Sequence, residues 1–355
     1  MTRFLLAGGG TAGHVNPLLS LADAVVADDS TNKVWALGTK EGLEASLVPA
    51  RGYELLTVAR LPFPRKLSGY ALTFPLKFER AIRQVMRYLR ENQIDVVVGF
   101  GGYASAPAYL AAKRLGIPVV VHEANALPGW ANKLGAKFAK AVGVAFKSTP
   151  IANATFVGMP LRAEIEALAT YADREAARIQ FGLDPDTVTL LVTGGSLGAK
   201  RINETIDQSR RVLSAAGIQV LHIMGGRSEL PEVREKDYVR ISYCDRMDLA
   251  IAASNFAVSR AGASTVSEFA AVGLPAVYVP YPVGNGEQKL NVADLVAADG
   301  GVLVLDSEFT PAYVANNLVP LVSNSRALAD MASKAKKVGV ADGTARLLAL
   351  VKGVL

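Results

Sequence analysis

SRAGASTVSEFAAVGLPAVYVPYPVGNGEQKLNVAD, residues 259–294, decides the reading of the fold. It divides into a strand end at Phe256–Ser259, a small-residue turn Ala261-Gly262-Ala263, a helix opening at Ser264-Thr265 and ending near Gly273, a strand Ala276–Pro280 and a polar loop. Two consecutive strand ends therefore open toward one crevice. Ser264, Thr265 and Ser267 put hydroxyls and free backbone N–H groups where the helix begins, a place that favours an anion such as a diphosphate. Glu268, one turn in, has the reach to accept hydrogen bonds from a ribose diol beyond that phosphate. In isolation the same residues read as an N-capped helix with a surface carboxylate. The continuation shifts the balance. Gly284-Asn285-Gly286-Glu287-Gln288 and Asn291 bring carboxylate and amide groups, which sugar hydroxyls need, just after the next strand.

The same alternation runs through the chain. Phe4–Ala7, Val34–Leu37, Glu54–Val58, Asp95–Gly99, Val119–His122 and Ala141–Ala145 read as strands, most of them apolar throughout, as strands buried on both faces are. Val15–Val26 and Ala106–Leu115 read as helices between them. After Gly158-Met159-Pro160 comes a polar helix, Ala163–Gln180, and the strand pattern restarts with Thr187–Thr193, Gln219–Met224, Tyr238–Ile241, Phe256–Ser259, Ala276–Pro280 and Val302–Leu305. The expected fold class is α/β, with two Rossmann-like doubly wound parallel sheets over residues 1–160 and 161–341 and a ligand cleft between them. The last helix, about Asp342–Leu355, is a candidate to pack back on the first half.

Composition agrees with two soluble domains: 355 residues, half of them apolar, with 20% charged. One cysteine, Cys244, excludes an internal disulfide and fits a reducing compartment. The N-terminal apolar run is too short for a signal peptide, and no run approaches the ~18 apolar residues of a membrane span. A cytoplasmic protein is expected. A net charge of +6 points to anionic partners: a phosphorylated ligand, a nucleic acid or an anionic membrane face.

Three glycine-rich loops follow strands. Gly8-Gly9-Gly10-Thr11-Ala12-Gly13-His14 satisfies the dinucleotide spacing G-x-G-x-x-G, but Leu37-Gly38-Thr39-Lys40 stands where an acidic residue would follow the second strand. Gly99-Phe100-Gly101-Gly102-Tyr103-Ala104-Ser105 and Gly194-Gly195-Ser196-Leu197-Gly198 repeat the device. All three serve equally well as tight strand-to-helix turns.

GGGTAGHVNPLLSLA (8–22), GFGGYASAPAYLAA (99–112), HEANALPGWANK (122–133), GMPLR (158–162), GGSLGAKRIN (194–203) and SRAGASTVSEFAAVGLPAVYVPYP (259–282), in this order and spacing, resemble the MurG family of bacterial N-acetylglucosaminyltransferases, which convert lipid I to lipid II. The resemblance spans nearly the whole chain. It implies a GT-B fold, UDP-N-acetylglucosamine as donor, undecaprenyl-diphosphate-linked muramyl pentapeptide (lipid I) as acceptor, inversion at the anomeric carbon, and work at the cytoplasmic face of the membrane. Carried over by motif, Thr11, Ala12 and Gly13, with Asn125, would face the donor sugar and diphosphate. Arg162, Ser196, Cys244, the run Gly262, Ala263, Ser264, Thr265, Val266, Ser267 and Glu268, and Gln288 would complete the donor site. Met159 stands where many members have Asn, and Glu287 occupies the first place of a frequent Gln-Gln pair.

Transfer from a nucleotide sugar needs a base near the acceptor hydroxyl and stabilisation of the departing diphosphate. His14, between a glycine-rich loop and a helix, is the best base among three histidines, with Glu123 and Tyr103 next on the same rim. His122 and His222 read as structural. No metal site is expected, since Glu123 beside His122 lacks ligand spacing and no Asp-x-Asp stands in a strand-end loop. No cofactor and no nucleic-acid partner are expected.

Leu61–Arg90 is the second informative region. LPFPRKLSGYALTFPL combines Phe63, Leu67, Tyr70, Leu72, Phe74 and Leu76 with Arg65, Lys66 and Lys77 in a loop. The helix expected after Pro75 carries Phe78, Ile82, Val85 and Leu89 on one stripe and Arg80, Arg83, Arg87 and Arg90 on the other. For the helix alone, a core face and a solvated basic face suffice. An apolar loop beside that basic face adds an expectation of contact with an anionic membrane surface. Two other readings stay open: a UDP-N-acetylglucosamine 2-epimerase, for which the paired carboxylates and histidines of proton abstraction are not found, and a non-catalytic nucleotide-binding membrane adaptor.

Overall fold

A computed structural model describes residues 1–64, 68–283 and 285–355. The chain divides into two compact units, Met1–Arg162 with Asp342–Leu355 (unit 1) and Ala163–Ala341 (unit 2).

Unit 1 begins β1 (Arg3–Gly8), α1 (Ala12–Asp28), β2 (Lys33–Gly38), α2 (Glu44–Ala50), β3 (Glu54–Thr57), α3 (Gly69–Glu91). It continues β4 (Val96–Gly101), α4 (Ser105–Leu115), β5 (Val119–Glu123), α5 (Trp130–Ala136), β6 (Ala141–Val144), β7 (Thr155–Phe156). The sheet order is β3-β2-β1-β4-β5-β6-β7, parallel throughout. Side-chain alternation along each strand builds two cores. Leu5, Ala7, Val97 and Val121 meet Ile82, Val85 and Leu89 of α3 on one face, while Phe4, Leu6, Val98 and Phe100 meet Leu18, Leu21 and Val25 of α1 on the other. Leu347 and Val351, from the C-terminal helix Gly343–Lys352, are fully buried in this second core. That helix starts against the linker: a side chain at Gly343 would collide with the Met159 carbonyl.

Unit 2 opens with α6 (Ala163–Thr170) and α7 (Arg174–Phe181). The single helix expected over Ala163–Gln180 is therefore two. Asp173 leaves the helix with extended backbone, and its carboxylate caps α7 by accepting from Ala176 N–H at 3.0 Å, the local competition that makes Asp a helix starter rather than a helix filler. Then follow β8 (Thr189–Thr193), α8 (Lys200–Gln208), α9 (Arg210–Ala215), β9 (Gln219–Ile223), β10 (Val233–Glu235), β11 (Tyr238–Ile241), α10 (Met247–Ala252), β12 (Phe256–Ser259). The last part is α11 (Ala263–Val272), β13 (Ala276–Tyr278), α12 (Glu287–Asn291), α13 (Ala293–Ala297), β14 (Gly301–Leu303) and helical turns leading to a helix at Ser325–Val338. The order is β10-β11-β9-β8-β12-β13-β14, parallel except for the β10–β11 pair. The polar loop expected after β13 contains α12, and the short strands β7 and β10 were outside the sequence reading.

In both sheets the chain reverses direction of winding beside the first strand, between β1 and β4 and between β8 and β12. Loops after those strands part there, and that is where open α/β sheets bind ligands.

The α3 region differs from expectation. The helix begins at Gly69, not after Pro75. Ser68 caps it, accepting from Ala71 N–H at 3.3 Å, and the fixed φ of Pro75 is already helical, so only one backbone hydrogen bond is lost. The second half of the presumed loop, from Gly69 on, is thus helix. Leu72 and Leu76, 81% and 76% exposed, share its outer face, whereas Phe74 is buried in an aromatic cluster with Phe63, Tyr70 and Phe78. The basic face is partly neutralised, Arg83 by Glu79 at 3.1 Å and Arg87 by Glu91 at 3.8 Å. Arg65, Lys66, Leu67 and Gly284 lie outside the described residues. No helix among the described residues is long and apolar enough to cross a membrane.

Candidate active site

In unit 1 the loops after β1 and β4 pack backbone against backbone. Gly102, at φ +83°, comes so close to Gly9 that a Cβ there would lie 2.5 Å from the Gly9 carbonyl; only glycine fits. The approach brings His14 to Gly101, where a Cβ would meet His14 Nε2 at 3.2 Å and the Asn132 amide at 3.3 Å. His14 Nδ1 lies 3.0 Å from the Gly9 carbonyl oxygen. A carbonyl can only accept, so Nδ1 carries the hydrogen and Nε2 keeps its lone pair. That is the tautomer a general base requires. Thr11, extended at the N-cap of α1 without a side-chain capping bond, ends the loop, and Ala12 and Gly13 are the first residues of the helix.

The first fallback base is occupied. Glu123 is buried, with Oε1 accepting from Asn125 N–H at 2.9 Å and Oε2 from Gly129 N–H and Asn132 Nδ2, each at 2.9 Å. Asn132 in turn takes a hydrogen bond from the Tyr109 hydroxyl at 2.7 Å. The carboxylate is therefore a scaffold that shapes the loop of Asn125. Tyr103 lies under the Arg60 guanidinium, 5.2 Å from its ring centre. His122 donates from Nε2 to the Gly158 carbonyl at 3.0 Å, and burial lowers its pKa to about 4. Arg162 closes unit 1.

Glu44 was missed by the sequence reading. Fully buried at the start of α2, it accepts from Gly10 N–H at 2.7 Å through Oε2, and from Thr39 N–H and Oγ1 at 2.8 and 2.9 Å through Oε1. Burial acts to raise its carboxyl, but these hydrogen bonds outweigh burial and hold it below the usual carboxylate range. An acid absent from the end of β2 thus arrives at the start of α2 and occupies the first glycine-rich loop from beneath. Glycines at 9, 38 and 42 make room for it, since a side chain at any of them would collide with Glu44.

In unit 2 the candidate residues stand at the carboxyl ends of parallel strands: Ser196 after β8, Cys244 after β11, Gly262 to Glu268 after β12 and Gln288 after β13. Gln288 ties two of these loops together, its Oε1 accepting from Ala261 N–H at 3.2 Å and Tyr281 N–H at 2.9 Å, and so leaves its NH2 to donate. Asn291 is buried and donates to the Ala261 carbonyl at 3.2 Å, a structural role. Arg260 bonds the Val279 and Pro280 carbonyls and Asp306, pinning the turn from below. The N-cap of α11 is Gly262, which has no side chain to cap the helix. Ser264 Oγ, in the first turn, is shielded from solvent and has no hydrogen-bond partner among the described residues. A buried hydroxyl in that condition costs about 1–3 kcal/mol, and an uncapped N-terminus beside it carries partial positive charge. Together they make an anion-accepting corner, with Thr265, Val266, Ser267 and Glu268 following on the helix. His222 is structural: its Nδ1 accepts from the Tyr238 hydroxyl at 2.7 Å and its Nε2 donates to Asn203 Oδ1 at 3.1 Å. No group of three or more His, Cys, Asp or Glu side chains that could hold a metal occurs among the described residues.

Known proteins share this architecture. The glycosyltransferase family 28 N-terminal domain matches residues 4–144 and the C-terminal domain residues 189–347. The UDP-N-acetylglucosamine–N-acetylmuramyl-(pentapeptide) pyrophosphoryl-undecaprenol N-acetylglucosamine transferase of Leifsonia xyli subsp. xyli is 57% identical over 352 residues, covering 99% of this chain and 98% of the relative. The protein of the same name from Streptomyces coelicolor is 49% identical, covering 98% and 96%. Among solved structures, Acinetobacter baumannii MurG superposes with a TM-score of 0.78 at 28% identity, over 99% of this chain and all of that one. A putative UDP-N-acetylglucosamine 2-epimerase from Listeria monocytogenes reaches 0.71 at 14% identity over 99% of this chain and 96% of that one, a likeness of fold alone. With both domain models matched in order and relatives this similar along its whole length, the chain belongs to glycosyltransferase family 28.

Proposed function

We propose that this enzyme transfers N-acetylglucosamine from UDP-N-acetylglucosamine, with inversion, to the 4-hydroxyl of the muramyl sugar of lipid I, forming lipid II. The geometric observation that carries the reading is the uncapped N-terminus of α11 with its unpartnered Ser264 hydroxyl, a ready recipient for the diphosphate that departs as UDP. Glu268, one turn further, accepts from the ribose diol. Ser196, Cys244 and the Gln288 amide complete the donor contacts in unit 2, and Thr11, Ala12, Gly13, Asn125 and Arg162 add those from unit 1. His14 Nε2 takes the proton of the acceptor hydroxyl as the glycosidic bond forms. Residues 1–160 with the C-terminal helix act on acceptor and membrane, and residues 161–341 hold the donor. The whole-chain similarity to transferases named for this reaction supports the acceptor assignment.

Incubation with radiolabelled UDP-N-acetylglucosamine and a short-chain lipid I analogue tests the reading. Lipid-linked disaccharide is the expected product. Free N-acetylmannosamine would mean the epimerase, and no product would mean a binding module.

The exposed Leu72 and Leu76, together with the exposed Phe63 and Trp130, whose rings lie 4.8 Å apart at a tilt of 34°, are the apolar side chains that enter an anionic leaflet at the cytoplasmic face. Replacing both leucines with Ser releases the protein from anionic vesicles at low salt and leaves turnover of a soluble acceptor analogue intact. Unchanged co-sedimentation would contradict this. Phe74, buried in the cluster, is the wrong probe, because its loss damages packing.

A further inference from the structure

The Gly9–Gly10 peptide is bonded on both sides. Its N–H donates to Glu44 Oε2 at 2.7 Å, and its carbonyl accepts from His14 Nδ1 at 3.0 Å. No peptide among the described residues is cis, so the two groups of this planar unit point in opposite directions. Glu44 and His14 therefore sit at the two ends of one hydrogen-bonded row: carboxylate, peptide, imidazole. We propose that Glu44 is a positioning residue for His14, acting through the Gly9–Gly10 peptide to fix the Nδ1–H tautomer and to stabilise the imidazolium formed when Nε2 takes the acceptor's proton. This rests on the reading of His14 as the base.

Three observations make the row specific. The carboxylate is buried and triply bonded, so it keeps its charge and its place. The peptide it polarises cannot swing away, because Gly102 lies against the Gly9 backbone. And a negative charge behind an amide strengthens the carbonyl on the far side as an acceptor, since aligned hydrogen bonds polarise one another. A bare backbone carbonyl would orient His14 equally well, but would offer less to a positive charge. The arrangement also spends the Gly10 N–H. The first glycine-rich loop therefore offers a phosphate one donor fewer, with an anion behind it, despite its dinucleotide-like spacing.

A double-mutant cycle decides the matter, using the short-chain lipid I analogue and full-length protein. Glu44→Gln keeps the shape and removes the charge. It should lower kcat roughly 10- to 100-fold, less than the ~10⁴ seen when a carboxylate in direct contact with a catalytic imidazole is neutralised, with KM for UDP-N-acetylglucosamine unchanged. Combined with His14→Ala, it should cost nothing further, because its target is gone. Full kcat in Glu44→Gln, or a double variant slower than His14→Ala by the whole single-mutant factor, would overturn the proposal. His14→Ala with undiminished kcat would instead remove the base reading, and this inference with it. Should Glu44→Gln not fold, ¹⁵N NMR of the histidine-labelled wild-type protein still decides: Nδ1–H with a lone pair on Nε2 is expected, and the opposite tautomer for His14 excludes the row.

Discussion

The crevices at the two winding reversals differ in what their backbone N–H groups face. In unit 1 the Gly10 N–H is answered by the buried Glu44 carboxylate, and a histidine with an available lone pair stands on the rim. In unit 2 the N-cap of α11 is a glycine with no side chain to offer, and the Ser264 hydroxyl beside it has no partner among the described residues. Topology makes both crevices, but it does not decide their electrostatics. One is already supplied with negative charge and suits proton removal, while the other is left short of it and suits a diphosphate.

If this division holds, His14→Ala produces the largest effect, a kcat lower by roughly 10²–10⁴-fold with the Kd for UDP-N-acetylglucosamine unchanged, because a base acts only in the transition state. A mutant that keeps kcat and loses donor affinity would move His14 to the anion-binding side and break the contrast.

What the units share is a buried neutral imidazole. Burial lowers His122 to about 4, and burial with the nearby Arg240 lowers His222 to about 3. Above the unfolded-state pKa, about 6.5, both are neutral folded or unfolded and cost nothing. As pH falls below that value the unfolded chain gains protons that the folded one refuses, so stability drops by up to about 1.4 kcal/mol per pH unit for each. Denaturant titrations between pH 6.5 and 5 should show this slope, and His222→Gln should roughly halve it. An undiminished slope would mean other groups set the acid limit.

Glu268→Ala sharpens the donor side. Donor binding should weaken by about 1.5–3 kcal/mol, the range of a hydrogen bond to a charged group, with kcat at saturating donor little changed. Unaltered affinity in the folded variant would take the ribose contact away from α11.

The doubly wound pattern was legible because it is local. Apolar runs such as Val96–Val98 and Val119–Val121 can only be doubly buried strands, and Tyr238–Ile241 and Phe256–Ser259 have the bounds read from the sequence. Gly273, left-handed at φ +80°, ends α11 where a glycine after a helical run should. Local rules failed where a distant residue or a capping bond decided the outcome. The start of α3 six residues before Pro75 depends on Ser68, and the break at Tyr171–Asp173 on one carboxylate. The antiparallel β10 needs β11 as a partner, so three residues carry little signal alone. Glu44 was invisible for the same reason: its partner Gly10 lies 34 residues away, and the sequence shows only that no acid stands at the end of β2. At the site, His14 and the Ser264 turn could be picked out by their places at strand ends, whereas the tautomer of one and the unpartnered hydroxyl of the other needed coordinates.

The contrast is tested most directly by titrating UDP into wild type, Ser264→Ala and His14→Ala by calorimetry, with the unfolding of each unliganded protein measured alongside. Removing a hydroxyl that has no partner should leave the free protein as stable or more stable, by up to about 1 kcal/mol, while UDP binds about 2- to 10-fold more weakly. His14→Ala should bind UDP like wild type. If Ser264→Ala loses stability and keeps its UDP affinity, or if His14→Ala is the variant that loses UDP, the diphosphate does not rest on α11 and the division between the two crevices is wrong.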